Sequence, residues 1–165
     1  MNRDYKSNSS YGNNRSYPQN NRYKEKKSDP LEGATPVNRS LAEKYGKRPE
    51  IFLQKEYLYT IAENITNLKT HQVRKVLSVV KESLAIAKSN RDFQEARKRL
   101  FVLLPMIAYN TGRAGKKEKP EYEELFRFVY ENVNQHSIQS KADIEMFDQM
   151  VTAVVAYHKY LGGKD

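Results

Sequence analysis

The sequence predicts an all-α protein: a compact bundle of about five helices preceded by a disordered, basic N-terminal tail. Three observations carry that expectation. From Pro49 onward, apolar residues recur at three- and four-residue spacing, which keeps one stripe of a helix facing a core. Runs of β-branched alternation are absent, which argues against sheet folds such as the RRM and OB types. Finally, composition changes near Arg48. In the first fifty residues Leu31, Val37 and Leu41 are the only Val, Ile or Leu, set among Asn, Ser, Tyr, Lys and Arg. Such a segment buries too little apolar surface to offset its chain entropy. Residues 1–48 are therefore expected as a disordered tail and 49–165 as the helical domain, whose roughly 115 residues suffice for one modest core.

The elements follow in order. Pro49, tolerated where a helix has no use for its amide, opens a first helix through Ile51, Leu53, Tyr57, Leu58, Ile61 and Ile65. Thr70 is expected to cap a second, with Val73, Val76, Leu77, Val80, Leu84 and Ala87 on one face. Asp92 and Glu95 mark the start of a third, which is apolar nearly all round at Leu100–Leu104 and so reads as the central helix. Pro105 falls inside that pattern and predicts a kink or break, because its ring clashes with the carbonyl four residues back. Gly112 should end it. Pro120 opens a fourth helix through Leu125, Phe126, Val129 and Val133. The last runs from a Ser140 N-cap, with Asp143 three residues on, through Ile144, Phe147, Val151, Val154, His158 and Leu161 to Gly162. At about 100° per residue, Lys159 and Tyr160 leave its apolar stripe and point to solvent beside what reads as a flexible Gly-Gly terminus.

The chain carries a formal net charge of +9, with 29 Lys and Arg against 20 Asp and Glu. Both the tail and the helical part are basic, which favours a polyanionic partner, nucleic acid before membrane. No apolar run reaches the ~18 residues of a membrane span and no signal-like apolar stretch follows Met1. Cys is absent, which excludes disulfides and thiolate metal sites and fits a reducing, cytoplasmic setting. In the tail, Tyr5, Tyr11, Tyr17 and Tyr23 alternate with Arg and Lys, a composition that holds nucleic acid without sequence preference.

Basic groups cluster in three places. Arg74, Lys81 and Lys88 are spaced by seven along one margin of the second helix, either as a phosphate track or as snorkelling side chains covering the core edge. The loop from Arg113 to Lys119, which follows a helix end flanked by Gly112 and Gly115, carries Lys116 and Lys117, and its cations either reach a ligand or complement a helix C-terminus. Lys159, Tyr160 and Lys164 place cations beside an aromatic ring that can stack on a base or ribose. Tyr109 reads as core packing with a hydrogen-bonded hydroxyl.

Three stretches resemble, in the same order, the small subunit of type III-A CRISPR effector (Csm) complexes. They are Lys69-Thr70-His71-Gln72-Val73-Arg74, Ala108-Tyr109-Asn110-Thr111-Gly112-Arg113 and Val154–Asp165 with its Ala-Tyr, aromatic and Gly-Gly pattern. The resemblance covers roughly Leu53 to Asp165. It implies a non-catalytic RNA-binding subunit whose copies stack as a short filament in an antiviral ribonucleoprotein. Its implied partners are guide (CRISPR) RNA and target RNA, further copies of itself, the guide-binding backbone subunits and the large subunit. The RNA-binding candidates are then Lys69, Arg74, Lys75, Lys81, Arg113, Lys116, Lys117, Lys159 and Tyr160.

Enzyme readings find little support. None of His71, His136 and His158 lies in a metal-ligand spacing, and Arg127 is too far from His136 for the Arg-x4-6-His pair of helical HEPN ribonucleases. His158 falls on the apolar stripe as a core residue. P-loop, GxSxG and Cys-nucleophile motifs are absent, and no cofactor or metal is expected. The rivals are a stand-alone basic helical nucleic-acid-binding protein and a protein–protein adaptor with incidental charge.

Overall fold

A computed structural model describes residues 29–89 and 92–164. These form α1 (Leu41–Tyr45), a 3-10 turn (Pro49–Phe52), α2 (Tyr57–Asn64), α3 (Thr70–Lys88), α4 (Phe93–Phe101), α5 (Leu103–Arg113), α6 (Lys119–Asn132) and α7 (Lys141–Tyr160). The all-α expectation holds among the described residues, which form helices and no strands. One core unites them, with Leu58, Ile65, Leu100, Ile107, Phe128, Phe147 and Met150 fully buried. Phe128 stacks on Phe147 at 5.9 Å between centroids, joining α6 to α7.

The central helix is α7 rather than the expected third. It packs against α1, α2 and α3 and buries Ile144, Met146, Phe147, Met150, Val151, Val154 and His158. The apolar Leu100–Leu104 stretch is split instead. The helix α4 ends at Phe101 with Val102 as its cap, α5 begins at Leu103, and Pro105 sits in the first turn of α5 where no amide is needed. Val102 is 41% exposed at that corner. Contrary to the expected stop at Gly112, α5 continues to Arg113.

The expected first helix is also divided. Ile51 and Leu53 are two residues apart, on opposite sides of any helix, so both cannot face the core. Ile51 is buried in the 3-10 turn, Leu53 is 59% exposed, and Lys55 takes a left-handed φ of +65° before α2 starts.

Part of the stretch expected as tail packs on the core. Residues 1–28 lie outside the described residues, but Val37, Leu41 and Tyr45 are buried. They dock because Asp143, buried at the start of α7, accepts hydrogen bonds from the Ser40 hydroxyl, the Ala42 amide at 2.9 Å and the Gln139 amide at 2.9 Å. It also reaches back to the Ser140 amide at 2.8 Å, the capping geometry expected for Ser140. Burial pushes the Asp143 carboxyl up, but these hydrogen bonds, led by that of Ser40, outweigh it and hold it below its ordinary value.

Candidate nucleic-acid interface

The three sequence stretches that carry the resemblance meet at one end of the bundle, around the start of α3. Glu121, in the first turn of α6, holds the loop before α3 by accepting from the Asn67 amide at 2.7 Å and the Leu68 amide at 3.0 Å. Gln72 Oε1 accepts from the Lys69 amide at 2.7 Å, closing the first turn. The cap residue is Lys69, not Thr70. Thr70 is the first helical residue, and its buried amide donates 2.6 Å to the Lys164 carbonyl.

That last bond shows that the Gly-Gly terminus is docked rather than flexible. Gly162 takes a left-handed φ of +86° just past α7, and the Gly163 amide donates to the His158 carbonyl at 2.9 Å, a Schellman closure. Gly163 lies against the His158 ring so closely that a Cβ there would come within 2.1 Å of it. The His158 Nε2 lies 3.0 Å from the Leu68 carbonyl, a contact that requires its proton. His158 is thus the buried core residue expected from the stripe. Lys164 Nζ donates to Asn67 Oδ1 at 3.2 Å.

The second stretch joins from the other side. Gln72, Asn110, Arg113, Gly115, Glu118 and Tyr122 line a polar cleft of about 230 Å³ between α3, α5 and the α5–α6 turn. The Lys116–Lys117 segment lies in that turn, where the Glu118 and Lys119 amides both donate to the Gly115 carbonyl at 3.0 Å.

The candidate cations divide by what holds them. Lys81 donates to Asp148 Oδ2 at 2.7 Å, and Lys88 lies 4.0 Å from Glu145. Two members of the seven-residue row therefore tie α3 to α7, while Arg74 is exposed and makes no ion pair with the other described residues. Lys69, Lys75, Lys116 and Lys117 are likewise exposed without an ion pair among the described residues. Lys159 and Tyr160 are exposed at the end of α7, Tyr160 by 70%, as their place off the stripe predicts.

Tyr109 departs from the core position expected for it: it is 63% exposed. One turn on, Arg113 donates from Nη1 to the Tyr109 hydroxyl at 2.8 Å, and its guanidinium carbon lies 5.3 Å from the ring centroid. The four-residue spacing, which stacks side chains on one helix face, was the available signal. Among the described residues, no group of three His, Asp or Glu is placed to hold a metal ion, and no helix is long and apolar enough to cross a membrane.

The family model described as Csm2 Type III-A matches residues 53–164, more than half of the chain. The match spans every candidate cation and leaves out α1. No curated protein and no solved structure matches the chain.

Proposed function

The chain belongs to the Csm2 type III-A family, and from that premise we propose that this small subunit of a type III-A CRISPR effector complex holds RNA at the bundle end built around the start of α3. The observation that carries this reading is the contrast in charge pairing. Lys81, Lys88 and Arg99 are tied to carboxylates, whereas Arg74, Lys75, Lys116 and Lys117 at this end are exposed and make no ion pair among the described residues. Unpaired cations neutralise phosphates at no cost in broken ion pairs, and Arg offers a planar fork that fits phosphate oxygens.

The RNA is guide and target within the assembled cytoplasmic complex. Phosphate contacts position a strand without reading it, so sequence is read by guide–target pairing and this subunit grips the backbone. Copies stack as a short filament beside the guide-binding backbone subunits and the large subunit. The chain contributes no catalytic step.

The test uses complex purified through a tag on this chain. Guide RNA and the other subunits should co-purify, and target affinity should fall steeply with salt. Arg74→Ala should weaken target holding while the chain keeps its helicity and its place in the complex. Recovery of the chain alone, or RNA affinity indifferent to salt and to Arg74, overturns the reading. Intact assembly with RNA affinity insensitive to every cation at this end would make the chain a protein–protein adaptor.

A further inference from the structure

We propose that Tyr109 and Arg113 form a stacking clamp for an unpaired nucleobase, so that the α3–α5 end of the bundle takes single-stranded RNA in preference to a duplex. The inference rests on the RNA-holding reading above and adds the kind of strand and the group that meets it.

Exposure is the first argument. Among the described residues, Tyr109 and Tyr160 are the only exposed large aromatic side chains, and both lie at the bundle end where the unpaired cations gather. An apolar ring costs free energy in water unless a partner covers it, and a nucleobase face is a partner of matching shape. Arg113 prepares the Tyr109 ring for that partner. Bonded to the hydroxyl and 5.3 Å from the centroid, it fixes the ring on α5 and brings a cation to its side. With 63% of the residue exposed, the ring keeps an open face.

The adjoining cleft supplies the second argument. It holds one cation, Arg113, and one carboxylate, Glu118, so it does not concentrate positive charge deeply enough to select a phosphate. Its other polar groups are amides. Gln72 Oε1 is occupied by the Lys69 amide, which leaves the Nε2 donors, and Asn110 makes no side-chain hydrogen bond to other described residues. Amide donors and acceptors suit the edge of a base or a ribose hydroxyl. Phosphates would lie outside, on Lys75, Lys116 and Lys117. A paired base presents neither a free face nor a free Watson–Crick edge, so the clamp takes a nucleotide left outside the guide–target pairing, while the surrounding cations hold the backbone on either side of it.

The experiment compares the full chain and its Tyr109→Ala, Tyr109→Phe and Arg113→Ala variants for binding to a 12-nucleotide oligouridine, the matching DNA and a blunt RNA duplex. Tyr109→Ala should weaken oligouridine binding about tenfold, the effect of losing one stacked base, with the salt slope unchanged. Tyr109→Phe keeps the ring and should bind within about twofold of the parent. Arg113→Ala should weaken binding and also flatten the salt slope. Duplex affinity should not respond to Tyr109. In the assembled complex, target RNA carrying 4-thiouridine should crosslink to the segment holding Tyr109. Equal loss for single strand and duplex, or no loss and no crosslink, overturns the clamp while leaving phosphate holding intact. Equal response with the matching DNA assigns the clamp to single strands of either sugar and overturns its restriction to RNA. Lost co-purification of subunits with unchanged RNA affinity makes Tyr109 a protein contact, which also overturns it. Failure of the parent to bind any probe, alone or in the complex, brings down the RNA-holding reading itself.

Discussion

Asp143 does two jobs with one carboxylate. It caps its own helix through Ser140 and anchors α1 through Ser40 and Ala42, more than a hundred residues earlier in the chain. Replacing it by Asn removes charge-assisted acceptance and turns one oxygen into a donor facing donors. Asp143→Asn should therefore lower stability by about 2–3 kcal/mol, read as a shifted denaturant midpoint. Because the folded carboxyl titrates below its ordinary value, its contribution is complete above the unfolded pKa of about 4 and is lost as pH falls through the lower folded value. The gap in melting temperature between parent and variant should accordingly be widest near neutrality and narrow below about pH 4; a gap that widens on acidification would contradict this assignment. Gly163 makes a sharper case. A methyl there meets the His158 ring, which is itself held by the Leu68 carbonyl, so Gly163→Ala should displace the docked terminus. Hydrogen exchange at the Thr70 amide, now bonded to the Lys164 carbonyl, should rise in that variant while the α6 core stays protected.

At the scale of the element, α7 holds the bundle together, and its stripe was readable residue by residue. Ser140, Asp143 and Gly162 mark its ends, and Ile144, Phe147, Val151, Val154 and His158 are all buried. Val151→Asp should abolish cooperative folding, since Val151 is 2% exposed within the apolar core and the substitution buries a charge there. Retention of native helicity by that variant would show that α7 is not the core element. Short-range signals of this kind were legible because caps, prolines and a 3.6-residue repeat act within one turn of the chain. What escaped depends on distant partners. Ser40 and Asp143, Asn67 and Glu121, and Thr70 and Lys164 each meet across loops or whole helices. Those meetings order α1 despite its sparse apolar content, move the cap of α3 to Lys69 and pin the terminal Gly-Gly. Tyr109 was missed for a related reason, because the exposure of an aromatic residue depends on which helix covers it.

Across the whole molecule, the position of charge matters more than its sum. The net +9 is shared by cations in opposite circumstances. Lys81 is half exposed but pinned by Asp148, which is 8% exposed, so its charge is already matched by a carboxylate of α7. Among the described residues Lys69, Arg74, Lys75, Arg113, Lys116 and Lys117 make no ion pair, and they gather around the start of α3 and the end of α5. If a single strand engages all six, counterion release sets a log–log salt slope of about −4, at roughly 0.7 per phosphate. Removing Lys116 and Lys117 together should flatten that slope by about 1.4 with little change in melting temperature, because neither holds structure. Lys81→Ala should do the reverse. It leaves Asp148 buried without its cation, so the melting temperature should fall while the salt slope stays where it was. Measuring both quantities in both variants separates cations that bind from cations that brace, and matching behaviour in the two would show that pairing state does not govern RNA contact.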